Sequence, residues 1–78
     1  MTNLMETVTL MASENYEDRF RAEYYQLKIR YNKLLRVLAN YNYKDYKCSK
    51  QTLQDQANAM RYYLLVLKCR SYDEGIEL

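Results

Sequence analysis

The stretch Phe20-Arg21-Ala22-Glu23-Tyr24-Tyr25-Gln26-Leu27-Lys28-Ile29-Arg30-Tyr31-Asn32-Lys33-Leu34-Leu35-Arg36-Val37-Leu38 decides how this chain folds. Its apolar residues Phe20, Tyr24, Leu27, Tyr31, Leu34 and Leu38 fall in alternating steps of four and three, the spacing that lays a continuous seam along one side of a helix. The same alternation returns in Leu53, Ala57, Met60, Leu64 and Leu67. Two seams joined by a polar segment predict two helices folded back on each other.

If facing residues keep a constant sum of position numbers, Tyr24 meets Leu67, Leu27 meets Leu64, Tyr31 meets Met60, Leu34 meets Ala57 and Leu38 meets Leu53. Every layer is then filled and pairs an a position with a d position, as antiparallel helices require. The turn centres on Asp45 and Tyr46.

Working outward, Asn15 precedes Glu17 and Asp18, an N-cap followed by carboxylates suited to the positive end of a helix dipole. Helix one is expected over 15–40, a turn over 41–48 and helix two over 49–74, with Ser49 as cap and Gly75 as stop. Upstream, Asn3 followed by Glu6 reads as a capping box. It opens a short helix over 3–12 whose apolar face is Leu4, Val8 and Met11. The fold class is all-α: one domain spanning 1–78, an antiparallel, coiled-coil-like two-helix hairpin with a short N-terminal helix, oligomerising into a helical bundle.

Composition supports helices. The chain of 78 residues is 49% apolar with one Gly and no Pro, so the turn punctuation a sheet needs is missing. A net charge of +2 is too small to indicate a general nucleic-acid binder, so local clusters must carry any such argument, and no sequence-specific DNA binding is expected. No segment reads as a membrane span, and Met1–Leu10, carrying Glu6, is unlike a secretory signal, so a cytosolic protein is expected. Cys48 and Cys69, if both lie on one helix, are about 30 Å apart, too far to bridge. Without His, no metal site of ordinary spacing is expected, and no cofactor. There is no Gly-rich phosphate loop, isolated carboxylate pair or activated nucleophile, so an enzyme is not expected.

The seam also fixes its flanks. One flank aligns Glu23 with Arg70, Arg30 with Tyr63 and Val37 with Gln56, which predicts an ion pair, a cation–π contact and an amide. The other aligns Arg21 with Lys68 and Lys28 with Arg61, with Tyr25 between the two cations of helix one. Facing like charges destabilise a free hairpin, and an anion such as a phosphate relieves them while Tyr25 offers a ring for stacking. The competing arrangement has these side chains splayed into water or paired with Glu14 and Asp18. The turn Tyr41-Asn42-Tyr43-Lys44-Asp45-Tyr46-Lys47 alternates aromatic and basic residues. It makes Tyr43 and Lys47 second candidates for nucleotide contact, unless the tyrosines pack over the end of the bundle. Helix two carries a further strip, Tyr62, Leu65, Val66, Cys69 and Tyr72, that a hairpin alone leaves uncovered. The short N-terminal helix, a second subunit or both must cover it, and a homo-oligomer interface is expected there.

The pattern Arg19, Glu23-Tyr24, Leu27, Arg30, Lys33-Leu34, then Leu53, Gln56, Ala59-Met60, Tyr63-Leu64, Leu67, Arg70 and Glu74-Gly75-Ile76 resembles a family of very small helical-hairpin proteins of tailed bacteriophages. The resemblance covers Tyr16 to the C-terminus, and the Tyr- and Lys-rich turn departs from the family's more apolar, Pro-containing loop. That family is similar to the oligomeric sponges with which phages hold cyclic nucleotide signals of bacterial immunity without cleaving them. The resemblance implies a non-enzymatic inhibitor of host defence whose partners are itself and a nucleotide second messenger. A helical inhibitor that docks on a host defence protein, anti-CRISPR-like, and a structural or regulatory accessory are the alternatives.

Overall fold

The computed structural model describes residues 3–78 and contains three helices, α1 Leu4–Met11, α2 Tyr16–Ala39 and α3 Lys50–Glu74. The caps are those the sequence supplies. Asn3 accepts the Glu6 N–H at 2.9 Å, Asn15 accepts that of Glu17 at 2.8 Å and Ser49 accepts that of Thr52 at 3.1 Å. Each side chain satisfies a donor left over at a helix start. In α1 the capping box closes differently from the usual form: Glu6 takes the side-chain amide of Asn3 at 3.1 Å.

α2 and α3 pack against each other as the seam requires. Phe20, Tyr24, Leu67 and Ile76 form the buried cluster, and Tyr25, Leu27, Leu64 and Leu78 pack onto it. Further along, Leu38 and Ala57 are buried, while Tyr31, Leu34, Leu53 and Met60 are half-buried. The layer beyond Tyr24 and Leu67 pairs Phe20 with Ser71, both buried, and Ser71 is too small to fill it. The chain fills that end itself. Gly75 adopts the left-handed conformation with φ of 68°, and the N–H of Ile76 reaches the Ser71 carbonyl at 2.8 Å. This ending turns Ile76 inward until only 6% of it is exposed.

At the opposite end, the Asp45 N–H bonds to the Asn42 carbonyl at 2.9 Å, and the Asn42 side chain accepts the Lys44 N–H at 3.1 Å. Tyr41 and Tyr46 stack on each other, ring centroids 5.3 Å apart, and the Tyr41 hydroxyl donates to the Cys48 carbonyl at 2.6 Å.

α1 corrects one expectation. It packs on α2, its backbone stays away from α3, and the α3 strip is left exposed. The reason lies in Ala22, which is fully buried although it stands about 200° around α2 from Phe20, opposite the seam. A small residue there lets a second helix approach closely, and Thr7 of α1 is likewise fully buried, its hydroxyl satisfied by the Leu4 carbonyl at 2.6 Å. The molecule is therefore layered α1 on α2 on α3, and the outer face of α3 stays open. Its accessible surface of 5827 Å² exceeds the roughly 5,000 Å² of a compact monomer of this mass. Among the described residues, no helix is long and apolar enough to cross a membrane.

Candidate anion-binding site

Pairing α2 with α3 brings three cations from the two helices to one place. Lys28, Arg61 and Lys68 line a depression of about 230 Å³ together with Tyr24, Tyr31, Asn32, Leu64 and Leu65. Lys28 sits over the Tyr24 ring, 5.9 Å from its centroid. The lining contains no carboxylate. Among the described residues, ion pairs form at Arg21 and Arg70 and at none of these three cations. The site is thus a positive hollow with aromatic walls and no internal counterion. Such a surface attracts an anion and offers its ring faces to a base.

The remaining ligand candidates stand elsewhere. Arg21 is engaged by Glu17 and Asp18, each at 3.5 Å, and its Nε donates to the Glu77 carbonyl at 2.8 Å. The rival pairing with acidic neighbours holds for this residue, with Asp18 and Glu17 as partners. Tyr25 lies half-buried, edge-on to Tyr24 with centroids 5.1 Å apart, and does not line the depression. Tyr43 and Lys47 are exposed at the hairpin tip, apart from the depression. On the outer face of α3, Tyr62, Leu65, Val66, Cys69 and Tyr72 are all exposed, and Leu65 borders both this strip and the depression.

The opposite flank is rearranged relative to its simple pairing. Glu23 receives the Tyr63 hydroxyl in place of Arg70, and this bond raises the Tyr63 pKa. Arg70 instead bonds Glu74 at 3.2 Å and the Tyr16 hydroxyl at 2.9 Å, with its guanidinium 5.1 Å from the Phe20 centroid. A partner four residues away on the same helix is reached with little loss of freedom, which decides against the pairing across the seam. The Tyr16 hydroxyl donates to Glu74 at 2.7 Å. That bond lowers the Glu74 pKa and raises that of Tyr16, and the bond to Glu74 also raises the Arg70 pKa. This clasp between the two helix ends escaped the sequence reading, as did the inward turn of Ile76. The signals were present in the spacing of Arg70 to Glu74 and in Gly75 followed by an apolar residue.

A short helix laid on an antiparallel hairpin, with a cationic hollow on one flank, defines a small all-α protein of the helical-hairpin type. Its family model matches residues 14–72, most of the chain and all of the hairpin except the last two residues of α3. The chain belongs to the Sequestin family, whose name describes a protein that sequesters what it binds. No curated protein and no solved structure matches it.

Proposed function

We propose that this protein is a phage-encoded, non-enzymatic sponge, a homo-oligomer in the host bacterial cytosol that withholds an anionic cyclic nucleotide signal of bacterial immunity. The observation that carries this reading is the convergence of Lys28, Arg61 and Lys68 on one hollow walled by tyrosines and free of carboxylates. Phosphate oxygens suit such a site, because hydrogen bonds between ionised partners are about twice as strong as neutral ones. Holding the ligand intact suits it as well, since the lining offers charge and ring faces but neither a thiol nor a carboxylate base. The family's name supports sequestration as the mode of action. Assembly is supported by the α3 strip, where each apolar side chain covered contributes about 1.5–3 kcal/mol.

Calorimetry with cyclic dinucleotides, cyclic trinucleotides and cyclic isomers of ADP-ribose tests the reading. At least one should bind, with Arg61→Glu weakening it while helicity is kept. Absence of binding across the panel removes the proposal.

A second reading, a protein-directed inhibitor of host defence, draws support from Tyr62 and Tyr72, which are 71% and 88% exposed. Tyrosine supplies large contact area at low entropic cost. A host protein that co-purifies with the wild type and is lost in Tyr72→Ala, but not in Arg61→Glu, establishes this reading in place of the sponge.

A further inference from the structure

The flank facing away from the cationic hollow carries a second depression, of about 300 Å³, where all three helices contribute. α2 lines it with Arg19, Glu23, Gln26, Leu27 and Arg30, α1 adds Met11 and α3 adds Tyr63. Four of the α2 residues, Arg19, Glu23, Gln26 and Arg30, recur at helical spacing and so project from one face. Their polar groups are unevenly satisfied. Arg19 is held by the Ser13 carbonyl at 3.0 Å, but Arg30 is exposed and its guanidinium makes no hydrogen bond or ion pair with any described residue. The Gln26 amide is directed at the thioether of Met11, a weak acceptor. Glu23 accepts one bond, from Tyr63, and an ionised carboxylate has room for several more.

This combination differs in kind from the hollow on the other side. A carboxylate between two guanidinium groups disfavours an anionic group placed against Glu23 and favours one placed against Arg30. It selects a ligand that presents N–H donors to Glu23 and a negative group to Arg30. Leu27, Met11 and the Tyr63 ring supply apolar and aromatic walls for a planar ring between those two points. A volume of about 300 Å³ is at the small end of ligand pockets, which limits the occupant to the size of a mononucleotide.

We infer that this depression is a second binding site, for a guanine mononucleotide, in which Glu23 accepts the N–H groups of the base edge and Arg30 holds the phosphate. Among the common bases, guanine is the purine whose pairing edge presents two adjacent donors, a ring N–H and an exocyclic amine. Adenine presents one donor beside an acceptor that Glu23 repels. The inference is independent of the messenger reading, since the two depressions share no lining residue.

The test is calorimetric titration of the full chain with GMP and, separately, AMP. GMP is expected to bind at least tenfold more tightly than AMP to the wild type. Glu23→Gln should abolish that preference, Arg30→Ala should weaken GMP about tenfold, and the double variant Lys28→Glu with Arg61→Glu should leave GMP affinity unchanged. Circular dichroism checks that each variant keeps its helicity. If Glu23→Gln does not, Glu23→Asp, which withdraws the carboxylate from the base edge, should reduce the preference for GMP in its place. Equal affinities for GMP and AMP, no saturable GMP binding, or loss of GMP binding in the Lys28/Arg61 double variant would overturn the inference. The last result would move the nucleotide to the other flank without affecting the case for a sponge.

Discussion

Tyr16 at the start of α2 donates its hydroxyl to Glu74 at the end of α3, 58 residues further along the chain, at 2.7 Å, and Arg70 bonds both of them. The clasp ties the first turn of one helix to the last turn of the other, just outside the buried cluster around Phe20 and Ile76.

Its pH dependence has a definite sign. The hydrogen bond from Tyr16, and then Arg70, lowers the Glu74 pKa. The stabilisation it gives is therefore complete above the ordinary carboxylate value of about 4.3 and is lost as pH falls through the lower folded value. Tyr16 behaves oppositely. Its pKa is raised by Glu74, so its contribution is complete below the ordinary value of about 10 and is lost as pH rises through the folded value. Urea unfolding of wild type and Glu74→Gln should show a stability difference at neutral pH that disappears in acid. A difference that persists at pH 2 would assign the effect to packing.

Ile76 should matter far more than its place near the end of the sequence suggests. It is 6% exposed and packs in the Phe20–Leu67 cluster, so Ile76→Ala is expected to cost about 2–5 kcal/mol in chemical unfolding. Gly75→Ala probes the same feature by another route. No atom stands in the way of an added methyl group, yet φ of 68° makes the left-handed conformation cost about 1–2 kcal/mol for an L residue. Wild-type stability in both variants would mean that the inward turn contributes nothing.

The contrast between these residues shows what was legible in the sequence. The seam could be read because its alternating spacing is a one-dimensional record of one helix side facing another. Tyr24 with Leu67, and Leu27 with Leu64, joined the same cluster for that reason. Periodicity does not record choices between comparable partners. Periodicity misplaced the face of α1: Val8 and Met11, read with Leu4 as its apolar side, are 53% and 52% exposed, and Thr7 is the residue that is fully buried. That α1 would settle on α2 was hinted at only by the small Ala22 opposite the seam. Arg21 had carboxylates within a turn and an open flank beside it, and the local Glu17 and Asp18 won. Spacing did place Lys28, Arg61 and Lys68 side by side on one flank, because flank positions follow rigidly once the seam is fixed.

Seam and strip can be separated by two leucines on the same helix. Leu67 is fully buried and Leu65 is 52% exposed. Leu67→Ala is expected to lower the stability of the folded chain by about 2–5 kcal/mol whatever the protein concentration. Leu65→Ala should leave the dilute chain as stable as the wild type and shift the proposed assembly toward smaller species in native mass spectrometry. An unchanged mass distribution in Leu65→Ala, Tyr62→Ala and Tyr72→Ala alike would exclude the outer face of α3 as the contact between copies.

Two arginines on the same flank should behave differently toward an anionic ligand. Arg61 lines the carboxylate-free hollow, whereas Arg21 is already neutralised by Glu17 and Asp18 and further held by the Glu77 carbonyl. Arg61→Ala removes a charged hydrogen-bond donor worth about 1.5–3 kcal/mol, a weakening of at least tenfold. Arg21→Ala removes a charge that its neighbours have largely cancelled, and affinity should change by less than threefold, since the released carboxylates lie outside the lining. Titrations at rising salt should add a second signature. Wild-type affinity falls as exposed charges are screened, and the Arg61→Ala variant should show a shallower dependence than either the wild type or Arg21→Ala. If Arg21→Ala proves the more damaging of the two, the binding surface lies nearer the clasped end of the hairpin than the hollow does.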